Sequence, residues 1–318
     1  MASKTKIFYA TDVHGSETCF MKFINAGKFY GADVVMLGGD ITGKMLIPIV
    51  EQPGGKHACS FLGRDMVLET KDELDEVIKK IRQTGYYPYM STPDELARMR
   101  DNPDLVEEVF GRVMYQGICR WFDIAEERLA GTDIRCFITP GNDDQLTIDR
   151  AFEGRERVVN PEGRVVQLDD DHEMISTGYT NITPWNCPRD IPEDDLAAKI
   201  DAMASQVKNM ANCVFNFHCP PYGSQLDEAP ELQNMTPVLG PGGAPKMVPV
   251  GSHAVADSIR RHQPLLGLHG HIHESRGVHR IGRTTVVNPG SEYAEGYLRG
   301  AIIVLSRGKV VSCQLTSG

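Results

Sequence analysis

Ile7-Phe8-Tyr9-Ala10-Thr11-Asp12-Val13-His14-Gly15 is an apolar run of strand length that stops on an acid, a histidine and a glycine. Short apolar, β-rich runs bounded by turn residues read as buried strands. The pattern recurs: Val34 to Leu37 stops before Asp40, Cys136 to Thr139 before Asn142, and Val214 to Phe217 before His218. Leu265 to Leu268 then runs into His269, and Thr285 to Val287 into Asn288. Between the first two runs, Ser16 to Gly27 reads as a helix with Ser16 as its cap and Gly27 as its stop. The chain thus begins as a βαβ unit, which is α/β order.

Further along, about a hundred residues separate Asp40 from Asn142, far beyond the ~2 to 6 of a usual βα connection, so residues 41–132 read as an insertion. Asp72 to Gln83 carries Leu74, Val77, Ile78 and Ile81 on one helical face, and Asn102-Pro103 opens a longer helix through Val106, Phe110, Val113, Ile118, Trp121 and Ala125. The expectation is a largely helical insertion, acting as a packed subdomain or an oligomer face rather than a substrate lid. Residues 193–211 read as an amphipathic helix with a core stripe of Leu196, Ile200, Met203, Val207 and Met210. Residues 219–251 are dense in Pro and Gly and read as a long loop beside His218. Ala301 to Leu305 and Val310 to Leu315 read as a hairpin around Arg307-Gly308.

The composition is that of an ordinary globular protein: 318 residues, 41% hydrophobic and 24% charged. No run approaches the ~18 apolar residues of a membrane span, and the start MASKTKIFYATD has no signal-peptide pattern, so the expected location is cytoplasmic. Eight cysteines without a CxxC pair argue against a disulfide framework or a thiolate zinc site. A net charge of −10 argues against a generic nucleic-acid coat, which needs clustered Lys and Arg.

The strand-end residues themselves are hard oxygen and imidazole donors on tight turns. A pair of divalent cations needs a carboxylate that bridges them and further neutral ligands, and Asp40, after Gly38-Gly39, is the natural bridge. Pro140-Gly141-Asn142-Asp143-Asp144 brings an amide and two carboxylates to a third strand end. Gly267-Leu268-His269-Gly270-His271-Ile272-His273 places three histidines at alternate positions, which an extended chain directs to one side.

Taken in order, Asp12-Val13-His14-Gly15, Gly38-Gly39-Asp40, Gly141-Asn142-Asp143, a strand-end His218 and Gly270-His271-Ile272-His273 resemble the signature of the calcineurin-like metallophosphoesterases. These motifs span residues 12 to 273. The resemblance implies a single domain over 1–318, a four-layer αββα sandwich of two mixed β-sheets flanked by helices. It implies one metal on Asp12, His14 and His273, another on Asn142, His218 and His271, and Asp40 between them. Mixed N and O ligands suit Mn, Fe, Ni, Co or Zn rather than Ca. The reaction implied is hydrolysis of a small phosphate ester by metal-activated water, without a covalent intermediate. Asn288-Pro289-Gly290-Ser291 also resembles a turn of smaller members.

Many relatives follow the Asn ligand with a proton-donating His, where this chain has Asp143. Either Asp143 is a protonated general acid or it supports the metal ligands from behind, and His269 is a further candidate donor. A carboxylate beside the substrate favours a diester over a monoester dianion, so a phosphodiesterase is the expectation. A phosphomonoesterase and an inactive scaffold of the same fold are the alternatives.

Overall fold

The computed structural model describes residues 4–318; of the polar start read from the sequence, Met1 to Ser3 lie outside the described residues. The chain opens with the expected βαβ unit: β1 (Lys4–Ala10), α1 (Glu17–Tyr30) and β2 (Val34–Leu37), with β1 and β2 parallel. Ser16 caps α1 through its side chain, but Gly27 does not stop it. The helix runs on to Tyr30 and closes at Gly31, which adopts left-handed geometry (φ 60°). Gly27 serves close packing instead, since a β-carbon there would lie 3.1 Å from Ile134 and 3.2 Å from Val35.

Residues 41–132 hold the expected helices and, beside them, a sheet that the sequence does not announce. They hold β3 (Leu46–Gln52), β4 (Lys56–Phe61), β5 (Arg64–Leu68), α2 (Lys71–Gln83), β6 (Tyr87–Ser91), α3 (Pro93–Asp101) and α4 (Pro103–Leu129). The four strands form their own sheet, in the order β5-β4-β3-β6. Both helices read from the sequence are present, α2 with a Thr70–Glu73 capping box and α4 capped by Asn102. The strands escape a sequence reading because only one face is covered. Ile47, Ile49, Cys59, Phe61 and Leu68 pack on Val77 and Ile81 of α2, whereas Val67 is 63% exposed.

The chain continues through β7 (Arg135–Ile138), β8 (Val158–Val159), β9 (Val165–Gln167), β10 (Glu173–Thr177), α5 (Glu193–Ala204) and β11 (Val214–Phe217). α5 ends at Ala204, short of the expected span; Val207 and Met210 still reach the core from the turns that follow. The 219–251 loop holds short strands of its own. β12 (Glu228–Pro230) pairs with β15 (Met247–Pro249), and β13 (Leu232–Gln233) with β14 (Thr236–Pro237). α6 (His253–His262), β16 (Leu266–Leu268), β17 (Gly277–Ile281) and β18 (Thr284–Asn288) follow, and β19 (Arg299–Ser306) and β20 (Lys309–Ser317) form the expected hairpin.

Two six-stranded mixed sheets result, β20-β19-β1-β2-β7-β8 and β17-β18-β16-β11-β10-β9. Strand alternation sorts their side chains. Ile7, Tyr9, Val34 and Met36 share a core with Val214, Leu266, Leu268 and Val287 of the second sheet. Phe8, Ala10, Val35 and Leu37 point the other way, onto Phe20 and Phe23 of α1 and Phe122 of α4. Phe215, Phe217 and Val286 likewise pack on Leu196 and Ile200 of α5 and Val255 and Ile259 of α6. Each sheet thus meets the other on one face and helices on its opposite face. β1, β2 and β7 are parallel neighbours, as are β11, β16 and β18, so their C-terminal ends gather at one edge. Among the described residues no helix is long and apolar enough to cross a membrane.

Candidate metal centre

At that edge the motifs converge. Asp12 and His14 follow β1, Asp40 follows β2, Asn142 follows β7, His218 follows β11, and His271 and His273 follow β16. Ligand-capable atoms of Asp12, His14 and His273 lie within 4.8 Å of one another, and so do those of Asp40, His218 and His271. His14 Nε2 is 3.1 Å from His273 Nε2, and Asp40 Oδ2 lies 3.6 Å from His14 Nε2 and 3.4 Å from His218 Nε2. Asp12 Oδ1 lies 3.4 Å from His273 Nε2 and 3.8 Å from His218 Nε2. Asn142 adjoins the second group: its neighbour Asp143 donates a backbone N–H to Asp40 Oδ1 at 3.1 Å.

The backbone is bent to reach this arrangement. Asp12, His14, Asp40 and His271 all have positive φ (53°, 39°, 50° and 66°), a left-handed geometry that costs a non-glycine residue about 1–3 kcal/mol. The loops after β1 and β2 hold one another in it, through N–H donation from Asp12 to Gly39 O and from His14 to Asp40 O. Two glycines permit the close approach. A β-carbon on Gly39 would lie 2.2 Å from His218 Nδ1, and one on Gly270 would lie 2.4 Å from Asp12 Oδ2.

The electrostatics ask for a cation. Asp12 and Asp40 are buried together; burial opposes their ionisation, yet His218 facing both holds each well below the usual carboxylate range. Burial also disfavours charge on His218, but Asp40 and Asp12 outweigh it and raise its pKa to about 10. A proton there neutralises what a metal would otherwise neutralise. Burial lowers His14 to about 3 and His271 to about 4, keeping both imidazoles neutral and able to coordinate. His218 Nδ1 donates to Gly38 O at 2.9 Å, which leaves Nε2 turned toward the carboxylates without a hydrogen-bond partner among the described residues. Asn142 Oδ1 is likewise buried and unpartnered. Buried polar atoms are seldom left so, and this donor set fits divalent transition metals.

Several supporting residues are not visible in the sequence. Asp190 accepts the Asn142 Nδ2–H at 3.0 Å and is itself held by Thr180, Thr183 and the Cys187 N–H, which fixes the amide with its oxygen free. Nothing in Cys187-Pro188-Arg189-Asp190 announces this role. Asp144, quoted beside the motif, accepts N–H groups from Ile41, Thr42 and Gly141 and so ties the second and third strand-end loops together. Asn288 of the NPGS turn donates to Gly270 O and Ile272 O, and Ser291 donates to Asp12 O at 2.6 Å. Tyr293 packs its ring against His14, 4.7 Å between centroids. Asp190→Ala is expected to free the Asn142 amide and weaken metal binding about 10- to 100-fold, with excess metal restoring occupancy. Metal titration by calorimetry checks it, and an unchanged affinity counts against the orienting role.

The two candidate acids fare differently. Asp143 reaches the cluster, with Oδ2 3.8 Å from His14 Nδ1, but the same oxygen lies 2.7 Å from Lys44 Nζ. Asp143 thus faces both His14 and the Lys44 side chain at the rim of the cluster. His269 does not join the cluster, which corrects the expectation of three histidines on one side. It is wholly buried, with Nδ1 2.8 Å from Phe217 O and 3.0 Å from Cys219 O, and burial lowers its pKa to about 4. The chain turns at Gly270 and passes through left-handed His271, so alternation ends at Leu268, where β16 ends.

No family model matches the chain. An uncharacterized protein of Methanocaldococcus jannaschii is 30% identical over 128 residues, 40% of this chain and 51% of that protein. The chain thus spans about half the length of the curated relative it matches. One crystal structure aligns over 99% of both chains with a TM-score of 0.55 and 17% identity. The crystal structure of the protein TT1561 of Thermus thermophilus also aligns over 99% of both chains, with a TM-score of 0.52 and 15% identity. Likeness at these identities is likeness of fold. In the order of its motifs and in their convergence on one edge, the chain resembles the calcineurin-like metallophosphoesterases.

Proposed function

We propose that this protein is a hydrolase that cleaves phosphate esters, diesters more readily than monoesters, at a centre of two divalent transition metal ions. We read its two facing sheets with outer helices as the four-layer αββα sandwich. The observation that carries the reading is the pairing of buried Asp12 and Asp40 with the unpartnered Asn142 Oδ1 and His218 Nε2.

Asp12, His14 and His273 would hold one ion, and Asn142, His218 and His271 the other. Asp40, whose Oδ2 faces His14 and His218 at similar distances, would serve both ions. Mn, Fe, Ni, Co and Zn all suit these donors. When bound, such a pair polarises phosphoryl oxygens and lowers the pKa of water at the site. The protein's share is orientation. Gly38 O fixes the His218 tautomer, Asp190 fixes the Asn142 amide, and Asn288 and Ser291 fix the two loops that carry Asp12 and His271. Asp143 sets the local charge, partly offset by Lys44, whose side chain is half exposed and screened by water.

That offset makes the diester preference modest in the intact protein and adjustable. A monoester dianion suffers more from an unpaired carboxylate than a diester monoanion does. Lys44→Met should therefore raise the diester-to-monoester ratio of kcat/KM by roughly 3- to 10-fold, the order expected for a single partly screened charge. Matched aryl mono- and diesters assayed on metal-reconstituted protein test both claims. Failure of every phosphate ester would sink the reading, and a clear monoester preference would sink the diester part alone.

A further inference from the structure

A cavity of about 400 Å³ lies between β6 and α4, with Gly15 and Glu17 at its floor and none of the seven ligand residues in its lining. Its walls carry Arg82, Arg112 and Arg120, together with Tyr86, Tyr89 and Trp121. Arg120 is paired with Glu17, but Arg82 and Arg112 have no ion-pair partner among the described residues. Three arginines around one cavity with a single ion pair among them are unexpected in a chain of net charge −10. Burial lowers the Arg82 pKa and the neighbouring Arg120 lowers it further, against a partial offset from Glu17, so the Arg82 guanidinium is held beside a like charge. An anion would relieve that repulsion, and a planar guanidinium matches phosphate geometry through two parallel hydrogen bonds. Tyr86 and Tyr89 add flat faces of the kind on which bases stack. The volume suits a small organic ligand.

We propose that this cavity binds a mononucleotide, its phosphate on Arg82 and Arg112 and its base against the tyrosines. The site does not depend on the hydrolysis proposed above. Its placement matters nonetheless, because the segment between α2 and β6 is bonded to the loop that bears His14. Ser16 Oγ donates to Gln83 O at 2.8 Å, and a β-carbon on Gly85 would lie 2.2 Å from His14 O. An occupant would thus sit against the back of a ligand-bearing loop.

The chain has two tryptophans: Trp121 in the cavity wall and the 63% exposed Trp185. In metal-loaded Trp185→Phe protein, emission reports on Trp121, and titration with AMP should change it saturably. Arg82→Gln and Arg112→Gln, each made in that background, should weaken the response at least about tenfold, as loss of a charge-assisted hydrogen bond implies. AMP held at the metal centre would not depend on either arginine. Arg112 is exposed and its removal leaves no broken ion pair, so that variant keeps the test valid if Arg82→Gln folds poorly. A flat titration, or equal affinity in the Arg112→Gln protein, overturns the proposal.

Discussion

Asp40→Ala is expected to abolish phosphate-ester hydrolysis, by more than about 10³-fold, and to lower bound metal below two ions per chain. The reason is geometric. Asp40 Oδ2 stands 3.6 Å from His14 Nε2 and 3.4 Å from His218 Nε2, one residue from each group of ligands, and its Oδ1 accepts the Asp143 N–H. Removing the carboxylate leaves Asp12 as the remaining buried negative charge facing His218, so two divalent ions would repel across the gap without a shared anion. Metal content by elemental analysis and turnover of an aryl diester decide the matter together. A variant with two ions per chain and full activity would show that the bridging role is wrong.

Gly270→Ala should be nearly as damaging, although it removes no ligand and adds one methyl group. A β-carbon there would lie 2.1 Å from Thr11 Oγ1 and 2.4 Å from Asp12 Oδ2. Neither neighbour has room to yield, since Thr11 Oγ1 donates to Asp12 Oδ2 at 2.7 Å and the same carboxylate accepts the His271 N–H. The loop must move away from β1, at a stability cost of about 1–3 kcal/mol, and His271 and His273 move with it. The expected result is a lowered Tm together with weak metal binding that excess metal does not restore, in contrast to Asp190→Ala. Unchanged metal affinity in a folded Gly270→Ala protein would count against the packing argument.

The strands that carry ligands were legible because strands buried on both faces are written as unbroken apolar runs, and Ile7 to Ala10 or Val214 to Phe217 have little other meaning. The insertion sheet was not, because Leu46–Gln52 and Arg64–Leu68 cover one face only and mix polar residues into the run. Within the site, the residues that converge at the sheet edge were legible and those that hold them there were not. Asp190 lies 48 residues from Asn142, and only the folded chain makes them partners. His269 shows the opposite failure. A two-residue period holds while the chain stays extended, and at Gly270 it does not. Lys44 is a lone lysine after Gly43 in the sequence, and its meaning comes from Asp143, beyond the whole insertion.

The placement of β19 between β20 and β1 has a consequence for how the chain is made. β1 finds its parallel partner β2 after one helix, but its other edge waits for Arg299–Ser306, which leaves the ribosome long afterwards. Throughout that interval Ile7 to Ala10 belong to an open strand, the kind of edge onto which a second nascent chain can pair. Lys4 and Lys6 stand at the start of that strand, and charged side chains on an edge discourage such pairing until β19 arrives. Lys6 keeps a use once the fold is complete, because its Nζ then donates to Tyr30 O at 2.9 Å and ties β1 to the end of α1.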